Sequence, residues 1–374
     1  MTRDDVIVFS LEPWDEVWRR NQYLVDGLLR ADESLRVLFV EPAADMLHSV
    51  VSGRRAVRGR GLSTVPGYGG RLHVFQPTKV LPRALGGAAD ALLRRSVERA
   101  ARAVGMRDRV LWVNDPGWAM LVRRESSPAL YDITDDWLQA NRSSRERARL
   151  VANEDTLFLR CEEVVVCSPG LAATRSRRRT VTLIPNAVDV ERYRTPAVRP
   201  VDMPEAPTAL YVGTLHEDRL DVDLVRRTAV ALRSVGGTVV LVGPNALSPE
   251  NSDVLASHKN IRMLGPRPAT RVPAYLQHAS VLIVPHVVDP FTESLDPIKL
   301  YEYRAVGRPI VSTRVAGFRD HTDDGVDLGD ARSFPGIVAR VAAEERPSRV
   351  VEGVPDWSTR VAEFAQVLDR VRGR

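Results

Sequence analysis

Asp296-Pro297-Ile298-Lys299-Leu300-Tyr301-Glu302-Tyr303-Arg304-Ala305-Val306-Gly307-Arg308-Pro309 reads as one short helix with its punctuation. Proline suits the first turn, where its missing N–H would lack a partner anyway, and aspartate suits the cap before it. Gly307 and then Pro309 end the helix. The apolar run Val281-Leu282-Ile283-Val284 precedes it, and Pro309-Ile310-Val311 follows. Strand, helix and strand in this order make a βαβ unit, and strands buried on both faces read as continuous apolar runs. The segment therefore sets the fold class as α/β.

The same alternation extends outward in both directions. Upstream, Ala209–Val212, Val239–Val242 and Ile261–Leu264 are strand-like, with helices near 220–235 and 270–279. Downstream, helices fall near 333–345 and 356–372, the last with Val361, Phe364, Val367 and Leu368 on one stripe. Before position 185 the pattern is repeated. Val6–Phe9, Val37–Val40, Leu72–Phe75, Val110–Val113, Ala129–Asp132, Val164–Val166 and Val181–Ile184 are strand-like. Helices are expected at about 15–31 and 88–104, and a Gly-, Pro- and Arg-rich loop at about 43–70. Pro185, Pro196, Pro200, Pro204 and Pro207 punctuate the stretch between the halves. The expected architecture is two Rossmann-like doubly wound domains facing a cleft. Residues 1–195 form the first and 205–350 the second, with a final helix in 351–374 packing back toward the first.

Composition agrees with a soluble chain of this size. Of 374 residues, 44% are hydrophobic and 27% charged, with net charge +5. No apolar run approaches the roughly 20 residues that span a bilayer. The N-terminus has no basic-then-apolar leader pattern, so a cytoplasmic location is expected. Cys161 and Cys167 are expected to be buried reduced thiols. Lysine is scarce, at Lys79, Lys259 and Lys299 only, against 53 lysines and arginines together. A lysine that survives such an arginine bias points to chemistry suited to a compact ammonium.

The opening segment holds that lysine. A helix start facing the cleft favours an anion such as a diphosphate. Lys299 in the first turn adds a point charge, and Thr292 and Ser294 upstream offer hydroxyl donors. Glu302, one turn beyond Lys299, can accept hydrogen bonds from ribose hydroxyls. No G-x-G-x-x-G joins a strand to a helix, and no G-x-x-x-x-G-K-S/T occurs, which argues against nicotinamide, flavin and P-loop enzymes. Nucleic acid is not an expected partner, since no recognition motif accompanies the basic residues.

Several segments together resemble the retaining GT-B transferases of glycosyltransferase family 4. They are Ile184-Pro185-Asn186-Ala187-Val188-Asp189-Val190-Glu191-Arg192-Tyr193, Tyr211-Val212-Gly213-Thr214-Leu215, Leu241-Val242-Gly243-Pro244, Met263-Leu264-Gly265-Pro266-Arg267-Pro268 and Ala305-Val306-Gly307-Arg308-Pro309-Ile310-Val311. The resemblance implies a glycosyltransferase moving a sugar from a nucleotide diphosphate donor to a hydroxyl acceptor. It implies no resident cofactor; the nucleotide-sugar is a co-substrate, UDP-sugar ahead of dTDP- or GDP-sugar. Donor contacts are implied for Gly213, Thr214, Gly243, Gly265, Arg267 and Leu300, beside Thr292, Ser294, Lys299 and Glu302. The family's Glu-x7-Glu pair is broken: Ser294 stands eight residues before Glu302, with Glu293 one residue off register. Its lysine-glycine pair after the first glycine turn is missing too, with Arg219 near but out of register. The form Pro-x-Lys-x-Tyr-Glu-Tyr resembles a teichuronic-acid and exopolysaccharide subgroup. Xanthan-type glucuronosyltransferases, which invert the anomeric centre, carry a comparable lysine, so retention and inversion both stay open.

The first half supplies acceptor candidates. Trp14, Arg20 and Asn21 lie around the first helix start, which faces the cleft. Tyr131-Asp132-Ile133-Thr134-Asp135-Asp136-Trp137 follows a strand, so its acids fall at the cleft edge. An inverting enzyme needs a base there, and Asp135 is nominated, with Asp136 second. The expected acceptor is a glycan, glycolipid or small molecule. Asp221-Val222-Asp223 is expected to open a helix rather than to hold a metal, and no metal is expected elsewhere. Arg94, Arg95, Arg99 and Arg102, and Arg175 with Arg177, Arg178 and Arg179, read either as solvated surface or as peripheral contact with an anionic membrane. His286 reads either as a cleft residue or as an ordinary turn residue. A nucleotide-sugar epimerase and a non-catalytic nucleotide- or glycan-binding subunit are the alternatives.

Overall fold

The computed structural model describes residues 4–46, 57–81, 87–139, 143–205, 207–344 and 346–373. Two parallel sheets dominate it. In the first half the chain runs β1 (Asp4–Phe9), α1 (Arg20–Ala31), β2 (Leu35–Val40), β3 (Gly61–Thr64), β4 (Leu72–Gln76), α2 (Gly87–Ala103), β5 (Arg109–Val113), β6 (Ala129–Ile133), α3 (Ser144–Arg160), β7 (Glu163–Val166), α4 (Pro169–Arg175) and β8 (Thr182–Leu183). Strand order is β8-β7-β6-β5-β1-β2-β4-β3, with only β3 antiparallel to its neighbour. α5 (Val190–Arg194) lies in the linker. The second half runs β9 (Thr208–Val212), α6 (Val222–Leu232), β10 (Thr238–Val242), α7 (Pro249–Ala256), β11 (Ile261–Gly265), α8 (Val272–Gln277), β12 (Val281–Val284), α9 (Ile298–Val306), β13 (Ile310–Ser312), β14 (Val326–Leu328), α10 (Phe334–Ala343) and α11 (Trp357–Val371). Its order is β11-β10-β9-β12-β13-β14.

Both sheets reverse direction beside their first strand, between β1 and β5 and between β9 and β12. Ligands of such sheets bind outside the carboxyl ends of the strands at that reversal. The two reversal points line the two walls of one cleft.

Each sheet is covered on both faces, as the unbroken apolar strands require. Val6 and Val8 pack with Leu24, Leu28 and Phe39 on one side of the first sheet. Ile7 and Phe9 pack with Val97, Ala101 and Leu157 on the other. α11 returns to the first domain, where Trp357, Val361, Phe364, Val367 and Leu368 join the core on the Val6 and Val8 side. Cys161 and Cys167 are buried and free, and burial pushes the Cys161 thiol up to about 12.

Several local readings need correction. The expected loop at 43–70 contains β3, an edge strand with mostly exposed side chains, so no apolar alternation announces it; positions 47–56 of that loop lie outside the described residues. The first helix starts at Arg20 rather than near Asp15. Periodicity assigns no element between β6 and β7, yet α3 fills it. Its capping box, Ser143 with Glu146, is legible, but exposed Leu159 and Val151 blur the apolar stripe. Pro297 is the cap of α9 rather than its first turn, because the Asp296 carboxylate instead accepts from the Asn186 amide (2.5 Å) and the Tyr301 hydroxyl (2.7 Å).

Candidate functional site

The cleft between the domains encloses about 320 Å³, within the usual range for a small-molecule site. On the second domain's wall, β9 ends in Gly213 at φ +144, a backbone region that favours glycine. A side chain there would also meet Lys299, whose Nζ lies 3.0 Å from the position of an added Cβ. Lys299 Nζ donates to the Tyr211 hydroxyl at 3.0 Å and lies 3.4 Å from His286 Nε2. His286 follows β12 at the sheet reversal, lines the cleft and is almost fully buried. Burial, then Lys299 and Arg219, push its pKa well below 6.5, so the imidazole is neutral at pH 7. A neutral ring can accept a hydrogen bond from Tyr211, 3.2 Å away.

Glu302 faces the same cleft one turn along α9. It is half-buried and accepts a hydrogen bond from the Tyr193 hydroxyl of α5. Burial raises its pKa above 4.5, opposed by that hydroxyl and by Lys299. Gly213, Thr214, Arg267, Lys299 and Glu302 therefore share one wall. Arg267 is held by Asp202 (2.6 Å) and the Tyr275 hydroxyl (2.9 Å).

The other expected donor residues do not reach the cleft. Gly243 and Gly265 zip the strand-end turns together: Gly213 N donates to Val242 O and Gly243 N to Gly265 O. A Cβ on Gly243 would lie 2.1 Å from Gly213 O, so this glycine permits close backbone packing. Leu300 is a core residue of the second domain. Thr292 is buried and its hydroxyl donates to Val287 O (2.9 Å) within its own turn. Ser294 is buried in the seam between the domains, donating to Phe291 O (2.6 Å) and accepting weakly from Asp136 N (3.4 Å). Ser168 of the first domain also donates to Ser294 O (2.5 Å). The segment before α9 docks on the first domain, which turns both hydroxyls away from the ligand space. Glu293 pairs with Arg319, so it does not supply the carboxylate missing at position 294.

On the first domain's wall, Asp135 lines the cleft and pairs across it with Arg219 (2.9 Å). Asp136 is buried and held by two bonds from Arg175 (2.8 and 3.1 Å), which removes it as a base. Trp14 does not line the cleft; it packs edge-on against Phe39, 5.1 Å between centroids. Arg20 and Asn21 border the cleft, but the Arg20 guanidinium and the Asn21 amide nitrogen are committed. Arg20 pairs with buried Asp132 (3.4 Å), and Asn21 donates to Ser10 (3.2 Å) and Asn114 (2.9 Å). Glu12, Trp18 and Tyr23, none of them nominated as a site residue, also line this wall. Nothing in a single sequence marks Glu12, because the loop after a first strand is unpatterned.

Among the described residues no cluster of three or more His, Cys, Asp or Glu forms a metal site. Asp221 caps α6 by accepting from Leu224 N (2.8 Å), and Asp223 pairs with Arg226 and Arg227 on the exposed face. Of the second arginine cluster, Arg175 is buried against Asp136, Arg178 pairs with Asp155, and Arg179 donates to the Cys161 and Glu162 carbonyls. Three of those four side chains are thus spent within the protein. Arg95, Arg99 and Arg102 stay exposed on α2.

Comparison with known proteins agrees with this geometry. The family model described as "Glycosyl transferases group 1" matches residues 206–344, the second domain. A Bacillus subtilis (strain 168) protein named "Putative teichuronic acid biosynthesis glycosyltransferase TuaH" is 25% identical over 340 residues, covering 83% of this chain and 80% of the relative. Sucrose-phosphate synthase from Thermosynechococcus elongatus superimposes with TM-score 0.71 at 16% identity, covering 99% of this chain and 100% of that one. Anabaena HepE, solved in complex with UDP, gives 0.63 at 16% identity over 99% and 100%. The chain thus has the GT-B fold and is a glycosyltransferase, its second domain matching the group 1 model.

Proposed function

We propose that the chain moves a sugar from a UDP-sugar to a hydroxyl of a cell-envelope glycan, glycolipid or natural product. One observation carries this reading: Lys299 Nζ stands beside the open Gly213 turn while Glu302, one turn on, faces the same space. The ammonium offsets charge on the leaving diphosphate, and the carboxylate accepts from ribose. Preorganised charge of this kind costs no reorganisation during reaction. UDP is favoured because HepE, of the same fold, was solved with it, and because Glu302 suits a ribose carrying both hydroxyls. The exposed Arg95, Arg99 and Arg102 offer a peripheral contact for anionic lipid, which vesicle co-sedimentation at low and high salt would test. Among the described residues no helix is long and apolar enough to cross a membrane.

The donor assignment is tested by thermal shift with UDP, dTDP and GDP. UDP at about 100 times its Kd should add roughly 2.7 kcal/mol of stability. Lys299→Ala should lose most of that shift and of donor turnover. Full activity with saturable donor in Lys299→Ala would sink the assignment.

A further inference from the structure

We propose that Glu12 is the general base of the transfer, taking the proton of the acceptor hydroxyl. This deepens the reading above and rests on it. Glu12 lies just beyond β1, at the point where the first sheet reverses, and lines the cleft opposite Lys299. Its loop is held from below by a buried polar network. Glu12 N donates to Ser10 Oγ (3.0 Å) and Leu11 N to Asn114 Oδ1 (3.2 Å), while Asn21 Nδ2 donates to both acceptors. A loop pinned this way presents its side chain in one place.

The acids at this edge differ in what occupies their oxygens. Asp132 accepts from Arg20 and from Trp112 Nε1 (3.2 Å), Asp136 from Arg175, and Asp135 from Arg219. Among the described residues the Glu12 carboxylate has one ionic partner, Arg19 Nε at 3.7 Å, too far for a hydrogen bond. Its lone pairs are open to an incoming hydroxyl. The charged groups facing it are Arg19 and Asp15 from the segment before α1, Asp135 from beyond β6, and Arg219 from the second domain. Desolvation in the cleft, with Asp135 and Asp15, outweighs the two arginines and pushes the pKa of this half-buried side chain up to about 7. A base poised near the working pH combines the right protonation state with a strong pull on the proton.

In the step itself, the acceptor O–H bond breaks and its proton goes to the Glu12 carboxylate. The acceptor oxygen's electron pair forms the new bond to the anomeric carbon. The bond from that carbon to the diphosphate oxygen breaks, and its electron pair leaves with UDP beside Lys299. The product has inverted configuration, and Glu12 returns its proton to solvent when UDP leaves.

The test uses the full chain with UDP-glucose and water as acceptor, following UDP release, together with UDP thermal shift and carboxyl infrared titration. Glu12→Gln should keep UDP binding but lower UDP release by about 10²–10⁴-fold. Wild type should show a rate rising with pH to about 7 and a carboxyl C=O band titrating there, both lost in Glu12→Gln. Asp135→Asn should keep the pH limb, moved to lower pH because Asp135 helps to raise the Glu12 pKa, whatever its effect on rate. Wild-type UDP release by Glu12→Gln, a limb abolished by Asp135→Asn, or no carboxyl titrating near 7 would overturn the base. If UDP stabilises neither protein, the donor assignment falls and the base with it; UDP binding without loss of rate removes the base alone.

Discussion

Tyr193 shows how much one hydroxyl matters at this site. It holds Glu302 from the linker side and is itself buried. Tyr193→Phe leaves the packing in place but frees an oxygen of the half-buried Glu302 carboxylate. A hydrogen bond of this kind is worth about 1 kcal/mol, so UDP affinity should fall by about fivefold with kcat little changed. Isothermal titration with UDP and a split of kcat from KM would check it. Glu12 gives a second expectation with a definite sign. Its folded pKa of about 7 lies above the ordinary 4.5, so the native state binds the proton more readily than the unfolded chain. Stability from this group is fully present below about 4.5 and is lost as pH rises through 7. Relative to wild type, Glu12→Gln should therefore gain stability at pH 8 over pH 5 in urea unfolding. A residue kept only for its ion pair with Arg19 would show the opposite trend.

At the scale of elements, α1 and α11 illustrate a glycine whose value lies in contact rather than conformation. An added Cβ on Gly27 would lie 2.3 Å from Val361 Cγ2. Helix propensity favours alanine over glycine by about 1 kcal/mol. Gly27→Ala should nonetheless destabilise by about 1–3 kcal/mol, because the two helices cannot separate without opening the core behind them. Adding Val361→Ala should recover part of the loss, measurable as a shift in urea midpoint. Element types were well legible in the sequence where apolar runs were long and buried, as at β1, β5, β10 and β12. They failed where burial is one-sided or slight. β3 lies on an edge with exposed side chains, and α3 buries little beyond Leu157, Phe158 and Glu154.

Across the whole molecule, the chain crosses between domains twice and α11 closes the circuit. Phe364 is completely buried, 4.2 Å from Trp112 between centroids, inside the first domain's core. Phe364→Ala should cost about 3–5 kcal/mol and loosen the return crossing. Limited proteolysis near 346–356 and a lower melting temperature would report it. The interdomain seam also redistributes roles. Asn186 binds Asp296, Arg219 binds Asp135, and Ala269 N donates to Glu16 O (2.8 Å).

The α/β class, the paired domains and the Lys299/Glu302 helix were all determined by sequence, because they rest on local quantities: apolar runs, helix punctuation and spacing along one turn. Which acid stays open, and which hydroxyls face the ligand, depends on partners more than eighty residues away. Ser294 meets Asp136 and Ser168, Arg20 meets Asp132, and Asp135 meets Arg219. A side chain's chemistry follows from what already occupies its lone pairs and protons, and only the tertiary structure decides that. The helix at Ile298–Val306 was thus readable as a candidate site from its own residues, while Glu12, which lines the same cleft, became visible only once the two sheets faced each other.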